Sequence, residues 1–171
     1  ETFGIELDVK KSLDFIGLRG LSLVCNAAYI HSRVRFEEGA PERDRPLAGQ
    51  SPYLVNAGLF YQHDDNGISA SLLYNRIGKR IESVGVPMQN QNEDIPDIYE
   101  MPRNSLDLTF SKKIGKVVEI KAGIQDMLNS KIEYKQFVKL TDENGGKRER
   151  EQLVRSYRPG VDINVGVSLK F

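Results

Sequence analysis

The sequence predicts an all-β chain of antiparallel strands that form part of a transmembrane β-barrel. Three observations predict it. Apolar and polar residues alternate with a period of two through seven separate segments. The connections between these segments are in turn short and long. The last segment, residues 161–171, reads VDINVGVSLKF: Val161, Ile163, Val165, Val167, Leu169 and Phe171 share one face, and Asp162, Asn164, Gly166, Ser168 and Lys170 share the other. A tilted strand crosses a bilayer in roughly 9–11 residues, and this one is long enough.

The elements follow in order. Phe3, Ile5, Leu7 and Val9 alternate with Gly4, Glu6, Asp8 and Lys10. After a short connection, Leu21, Leu23, Cys25, Ala27 and Tyr29 form the apolar face of a second strand, whose other face is blurred by Val24, Ala28 and Ile30. A long polar segment covers residues 37–51. Tyr53, Val55, Ala57, Leu59 and Tyr61 then alternate with Asn56, Gly58 and Gln62. Asp64-Asp65-Asn66-Gly67 is a tight-turn sequence leading to Ile68, Ala70, Leu72 and Tyr74. A second long segment covers residues 80–103. Leu106, Leu108 and Phe110 come next, then a turn at Gly115-Lys116, then Val118, Ile120, Ala122 and Ile124. A third long segment covers residues 127–160, before the final strand.

Composition is compatible with this reading. The 171 residues suit one domain, and 24 acidic against 24 basic residues give no basic excess for nucleic acid. No apolar run nears the roughly 18 residues of a membrane helix, and a barrel needs none, because every second residue faces the lumen. The chain opens ETFGIELDVK, already strand-like and without a signal-peptide pattern. The expectation is that a leader was removed or that the chain is a piece of something longer. Cys25 is the single cysteine, so no internal disulfide forms, and it reads as a small hydrophobe on the apolar face.

Barrels in outer membranes have short periplasmic turns and longer extracellular loops. That rule places the turns near Ser12, Asn66 and Gly115 in the periplasm, and the loops around Arg43, Gln91 and Asn144 outside. Seven crossings are odd, whereas single-chain bacterial barrels have even numbers from 8 upward. Unpaired edges in hydrocarbon cost several kcal/mol per backbone group. The expectation is therefore the carboxyl-terminal part of a larger barrel.

Several segments carry a family resemblance. Residues 45–53 (RPLAGQSPY), 73–81 (LYNRIGKRI), 97–104 (DIYEMPRN), 126–129 (DMLN) and 156–160 (SYRPG) resemble, in order, the carboxyl-terminal end of TonB-dependent outer-membrane receptors, particularly those of Bacteroides-like bacteria. The terminal strand with its closing aromatic resembles the sorting signal of outer-membrane barrels, which makes Val165, Val167, Leu169 and Phe171 the expected assembly signal. The resemblance implies a barrel of about 22 strands in the bacterial outer membrane. Residues 1–171 would supply wall, outer loops and assembly signal for a transporter of a scarce solute (an iron chelate, vitamin or glycan). Implied partners are the remainder of the barrel and its plug, the lipid bilayer with its lipopolysaccharide, the barrel-assembly machinery, and the TonB complex acting through regions that this chain lacks. The plug domain is absent from the sequence.

Periodicity places Glu6, Asp8, Lys10, Asp107, Glu119, Lys121, Asp162 and Lys170 on the wet face, where they line a lumen or meet a plug. Lys or Arg facing lipid at mid-membrane would cost roughly 2–4 kcal/mol. Arg33, Arg35, Arg43 and Arg45 cluster around the first long loop, either to meet lipopolysaccharide phosphates or to pair with Glu37, Glu38, Glu42 and Asp44. Glu93, Asp94, Asp97 and Glu100 are acidic but lack EF-hand spacing. Residues 147–152 (KREREQ) read as an exposed hairpin flank. Tyr29, Tyr53, Tyr61, Tyr74, Phe110 and Phe171 fall towards strand ends, as interfacial rings do.

No catalytic constellation is present, and no enzyme, cofactor or metal is expected. His31 and His63 are isolated, and neither a phosphate-binding glycine loop nor a seryl-nucleophile signature occurs. Two other readings stay open. One is a small self-contained outer-membrane barrel of adhesive, structural or enzymatic role, with further strands hidden in residues 132–140 and 152–157. The other is a soluble β-sandwich or lipocalin-like binding protein with its apolar faces turned inward.

Overall fold

A computed structural model describes residues 1–88, 94–141 and 146–170. They form eleven β-strands in two sheets, every pairing antiparallel. The larger sheet has seven strands: β1 (Thr2–Ser12), β2 (Leu21–Ser32), β3 (Tyr53–His63), β4 (Ile68–Ile77), β7 (Arg103–Ile114), β8 (Val118–Gln125) and β11 (Asp162–Leu169), paired in that order. They are the seven segments whose alternation the sequence displays. The smaller sheet has four strands: β5 (Arg80–Ser83), β6 (Ile98–Glu100), β9 (Ile132–Thr141) and β10 (Lys147–Tyr157).

The second and third long segments, expected as loops, thus contain four strands. Residues 132–140 and 152–157 are strands but add no crossing to the larger sheet. The smaller sheet pairs in the order β5-β6-β9-β10, which repeats β4-β7-β8-β11 of the larger one. Each of its strands continues, or is continued by, the corresponding strand of that sheet. The small sheet is therefore an end-on extension of four neighbouring strands past a common line of breaks.

Each break has a local cause. Gly78 lies between β4 and β5, where a Cβ would meet the Tyr53 ring at 2.8 Å. Pro102 precedes β7 and has no N–H to give a ladder. Asp126 and Asn129 after β8 are left-handed, with φ of 50° and 43°; Asp and Asn tolerate this conformation better than most residues. Pro159-Gly160 breaks the chain between β10 and β11.

At the other end the connections are short. Ser12 Oγ donates to Asp14 Oδ2 (2.6 Å), and Gly20 N–H donates to Asp14 Oδ1 (3.0 Å), closing the first turn. Hydrogen bonds from both groups hold the Asp14 carboxyl below the usual carboxylate range. The other two short turns contain Gly67 and Gly115, which carry the positive φ that a tight turn needs.

The register explains the faces. Leu23, Leu59, Leu72, Leu108, Ile124 and Ile163 stand opposite one another as a row across six strands. Val9, Cys25, Ala57, Tyr74 and Leu106 form the next row. Asp8, Asn26, Asn56, Asn75 and Ser105 form a row on the opposite face. A slip of one residue would exchange the faces, so the pairing is strongly specified.

The larger sheet is a single layer, and among the described residues nothing packs on its apolar face. Ile5 is 76% exposed on β1 and Val165 is 73% exposed on β11. Among the described residues the buried hydrophobic side chains are Ile81 and Tyr134, both in the smaller sheet. The surface area is 12310 Å², against about 8,500 Å² for a compact monomer of this mass. Apolar faces turned against each other, as in a sandwich or lipocalin, are not what the chain forms.

Candidate functional site

The polar face of the larger sheet is the first candidate surface. Glu6, Asp8, Asp107, Glu119, Lys121 and Asp162 all fall on it by register. They are not gathered into one cluster, because Glu6 and Asp162 stand at opposite edges of the sheet. Glu6 accepts a hydrogen bond from Asn26 Nδ2 at 2.9 Å, and Asp8 stands opposite Asn26. Glu119 and Lys121 are ion-paired along β8 at 3.4 Å. Asp107 accepts the Asp126 N–H at 2.8 Å, just where β8 ends. Asn75 donates to Asn56 at 2.6 Å, and Ser69–Ser111 and Ser71–Thr109 are bonded at 2.7 and 2.6 Å. Such amide and hydroxyl ladders suit a hydrated wall.

The mixed second face of β2 is joined by two residues that the alternation alone does not single out. Phe60 and Leu73 lie over Gly58 on the polar side, beside Val24 in the pairing, and form an apolar inset. Their signal is that Phe60 and Leu73 both break the alternation of their strands.

The second candidate surface lies above the line of breaks. Arg80 donates from Nε and Nη2 to Glu100 Oε2 at 2.9 and 2.7 Å, locking β5 to β6. Arg103 reaches Asp126 Oδ2 at 3.2 Å, while Asp126 Oδ1 is buried without a hydrogen-bond partner. Arg158 Nη1 donates to the Asn129 carbonyl at 2.7 Å. All five segments that resemble receptor sequences meet at this level. Gly49 N–H donates to the Ile81 carbonyl (2.8 Å) and Gly78 N–H to the Tyr53 carbonyl (3.0 Å), bringing the first of them beside the second.

A cavity of about 660 Å³ opens here, lined among others by Arg43, Pro46, Lys79, Asp97, Tyr99 and Phe137. Its size is that of a small-molecule site. The Lys79 ammonium sits over the Tyr99 and Phe137 rings, and burial pushes its pKa below the ordinary lysine range, against the opposing pull of Glu149 and Glu151. Burial and the neighbouring Asp97 push the Tyr99 hydroxyl upward. The lining mixes both charge signs with aromatic and aliphatic groups. It offers hydrogen bonding and apolar contact to a solute. Lys79, Tyr99 and Phe137 did not stand out in the sequence, because they are far apart in the chain.

Three of the four loop arginines are ion-paired, two of them with other acids than expected. Arg33 holds Asp44 at 2.8 Å, Arg35 holds Glu1 at 3.2 Å, Arg43 holds Asp94, and Arg45 lies over the Phe36 ring. Glu93 lies outside the described residues. Asp94 also accepts the Met88 N–H, Asp97 accepts the Gly85 N–H, and Glu100 is taken by Arg80. Among the described residues no group of three or more acidic, histidine or cysteine side chains is placed to hold a metal. His31 stacks on Phe3 at 5.0 Å, and His63 Nδ1 accepts the Asn66 N–H. Val165, Val167 and Leu169 line the apolar face of β11, whereas Phe171, Gln91 and Asn144 lie outside the described residues. No family model, curated protein or solved structure matches the chain.

Proposed function

We propose that this chain is a length of wall from a TonB-dependent transporter barrel of the bacterial outer membrane. It contributes seven crossings, the outer rim and part of a solute-binding vestibule. One observation carries the reading: a continuous apolar face runs across all seven strands of a single layer and stays uncovered to both edges. The strands are 8 to 12 residues long, against the roughly 9–11 that a tilted crossing needs. Tyr29, Tyr53, Tyr61, Tyr74 and Phe110 all stand on the apolar face, where interfacial rings belong.

Topology supports a larger assembly. Seven strands joined by antiparallel pairings leave β1 and β11 running in the same direction. Closing them directly would create a parallel seam, so antiparallel closure takes an odd number of further strands. The β11 edge also lacks protection: Ile163–Leu169 contains no charge, no proline and no bulge. β10, by contrast, carries Arg148, Glu149, Arg150 and Glu151 and a bulge between Leu153 and Arg155. β11 is built to be paired, and β10 to stay open. In this orientation the short turns face the periplasm, and the 660 Å³ cavity faces outward.

The test is a nitroxide scan along β11 in the full-length protein in lipid vesicles. Labels at 163, 165 and 167 should be relaxed by oxygen, and labels at 164, 166 and 168 by a water-soluble nickel chelate. Uniform accessibility along the strand would refute the reading.

A further inference from the structure

Arg76 occupies an unusual place. It lies on the apolar face of β4, two residues beyond Tyr74, or about 7 Å along the strand. Its register partners are Val55 on β3 and Asn104 on β7. Three neutral groups position its guanidinium. Nε donates to the Tyr53 hydroxyl at 3.3 Å and Nη1 to Asn104 Oδ1 at 2.7 Å, while the Tyr74 hydroxyl donates to the same Asn104 oxygen at 2.8 Å. Among the described residues no carboxylate is ion-paired with it. Arg80 and Arg103, close by, each have an acidic partner.

A fixed guanidinium with no counter-charge among the described residues is a ready anion site. Arginine presents a planar fork of donors, and two of its edges are already spent on orientation here. Its level narrows the choice of anion. On β4 the apolar face runs from Ile68 to Tyr74 and ends at Arg76, just below the line of breaks. In the reading proposed above, on which this inference rests, that is the headgroup level of the outer leaflet. There the cost of an outward-facing arginine falls to about 0–1 kcal/mol. Tyrosines 53 and 74 flank it as interfacial anchors.

We infer that Arg76, held by Tyr53 and Asn104, binds a phosphate of a lipid headgroup in the outer leaflet, on the outside wall of the barrel. The site is separate from Arg33, Arg35 and Arg43 of the first long loop, whose charges are engaged by Asp44, Glu1 and Asp94.

The test uses the full-length protein, delipidated in detergent and titrated with diphosphorylated lipid A or with the same lipid stripped of phosphate. Bound lipid is counted by native mass spectrometry. The wild type should prefer the phosphorylated form by about tenfold, the effect of one hydrogen bond between charged groups. Arg76→Gln should abolish that preference, and Arg43→Gln should keep it. Asn104→Ala, which retains the charge but frees the side chain, should weaken it about threefold and serves if Arg76→Gln does not assemble. Equal binding of the two lipids by the wild type, or an unchanged preference in Arg76→Gln and Asn104→Ala, overturns the inference. So does displacement of the lipid by an equal concentration of inorganic phosphate, which would mark a simple anion site. A nitroxide at position 72 separates the two levels of failure. If oxygen does not reach it in vesicles, the membrane reading itself is wrong; if oxygen does, only the lipid site is.

Discussion

The Lys79 ammonium lies 3.6 Å from the centre of the Phe137 ring, so the break between β4 and β5 is tied to β9. The Tyr99 ring on β6 is 4.1 Å from the same cation, and the two rings meet edge to face at 5.7 Å. One lysine thus clamps two strands of the upper sheet at the line of breaks. A partly desolvated cation–π contact is worth about 1–2 kcal/mol. A double-mutant cycle of Lys79→Met and Phe137→Leu should return a coupling of about 1 kcal/mol, read from hydrogen exchange of β9 amides. Additive effects would show that the contact contributes nothing.

Acid should open the first long loop. Asp44 accepts the Phe36 N–H at 3.2 Å and two bonds from Arg33 at 3.1 and 2.8 Å, which hold its carboxyl below the usual carboxylate range. A depressed pKa contributes stability that is present above the unfolded value, about 3.9, and is lost as pH falls through the lower folded value. Exchange at Phe36, corrected for intrinsic rate, should be protected near pH 5 and lose that protection below about pH 3.9. Asp44→Asn should lack it at both. Equal protection in the variant would place the ordering elsewhere.

Two glycines at the first short turn should behave differently. Gly17 and Gly20 both have positive φ, 86° and 75°. A Cβ at Gly17 meets nothing within 4 Å, whereas at Gly20 it would overlap the Gln62 carbonyl oxygen. Gly17→Ala should cost only backbone strain, about 1 kcal/mol. In the proposed membrane setting, Gly20→Ala should add the displacement of β3 and lower the assembled fraction further, as measured by heat-modifiable migration in gels. Equal yields would contradict the geometry.

Adjacent residues on β4 offer a direct contrast. Leu72 lies in the central apolar row and Ser71 on the opposite face. In the proposed membrane setting, Leu72→Arg should cost roughly 2–4 kcal/mol and Ser71→Arg much less. Urea titration of the reconstituted protein would measure both. The reverse order would exchange the two faces.

The larger sheet was legible because its two faces differ so sharply. Leu23, Leu59, Leu72 and Leu108 sit in strands whose alternation is readable residue by residue. The smaller sheet was not, for an equally physical reason. Arg80–Ser83 and Ile98–Glu100 are too short to show a period. In β9, Phe137 faces away from Tyr134 and both are aromatic, so neither side reads as the inner one. In β10 the opening KREREQ carries no apolar residue at all. Periodicity alone groups Glu6, Asp8, Asp107, Glu119, Lys121 and Asp162 on one face, as the register does. Arg76, Lys79 and Phe137 could not be singled out, because their roles depend on partners brought in by register rather than by local pattern.

Among the described residues the larger sheet has its buried hydrophobic neighbours beyond its end, and no interior of its own. Ordinary domains offset the entropy of ordering a chain by hiding side chains among one another. In the proposed membrane setting that task passes to the surroundings. Conformational stability is then a property shared with the medium, and the same strands placed in plain buffer would lose the very term that keeps them ordered.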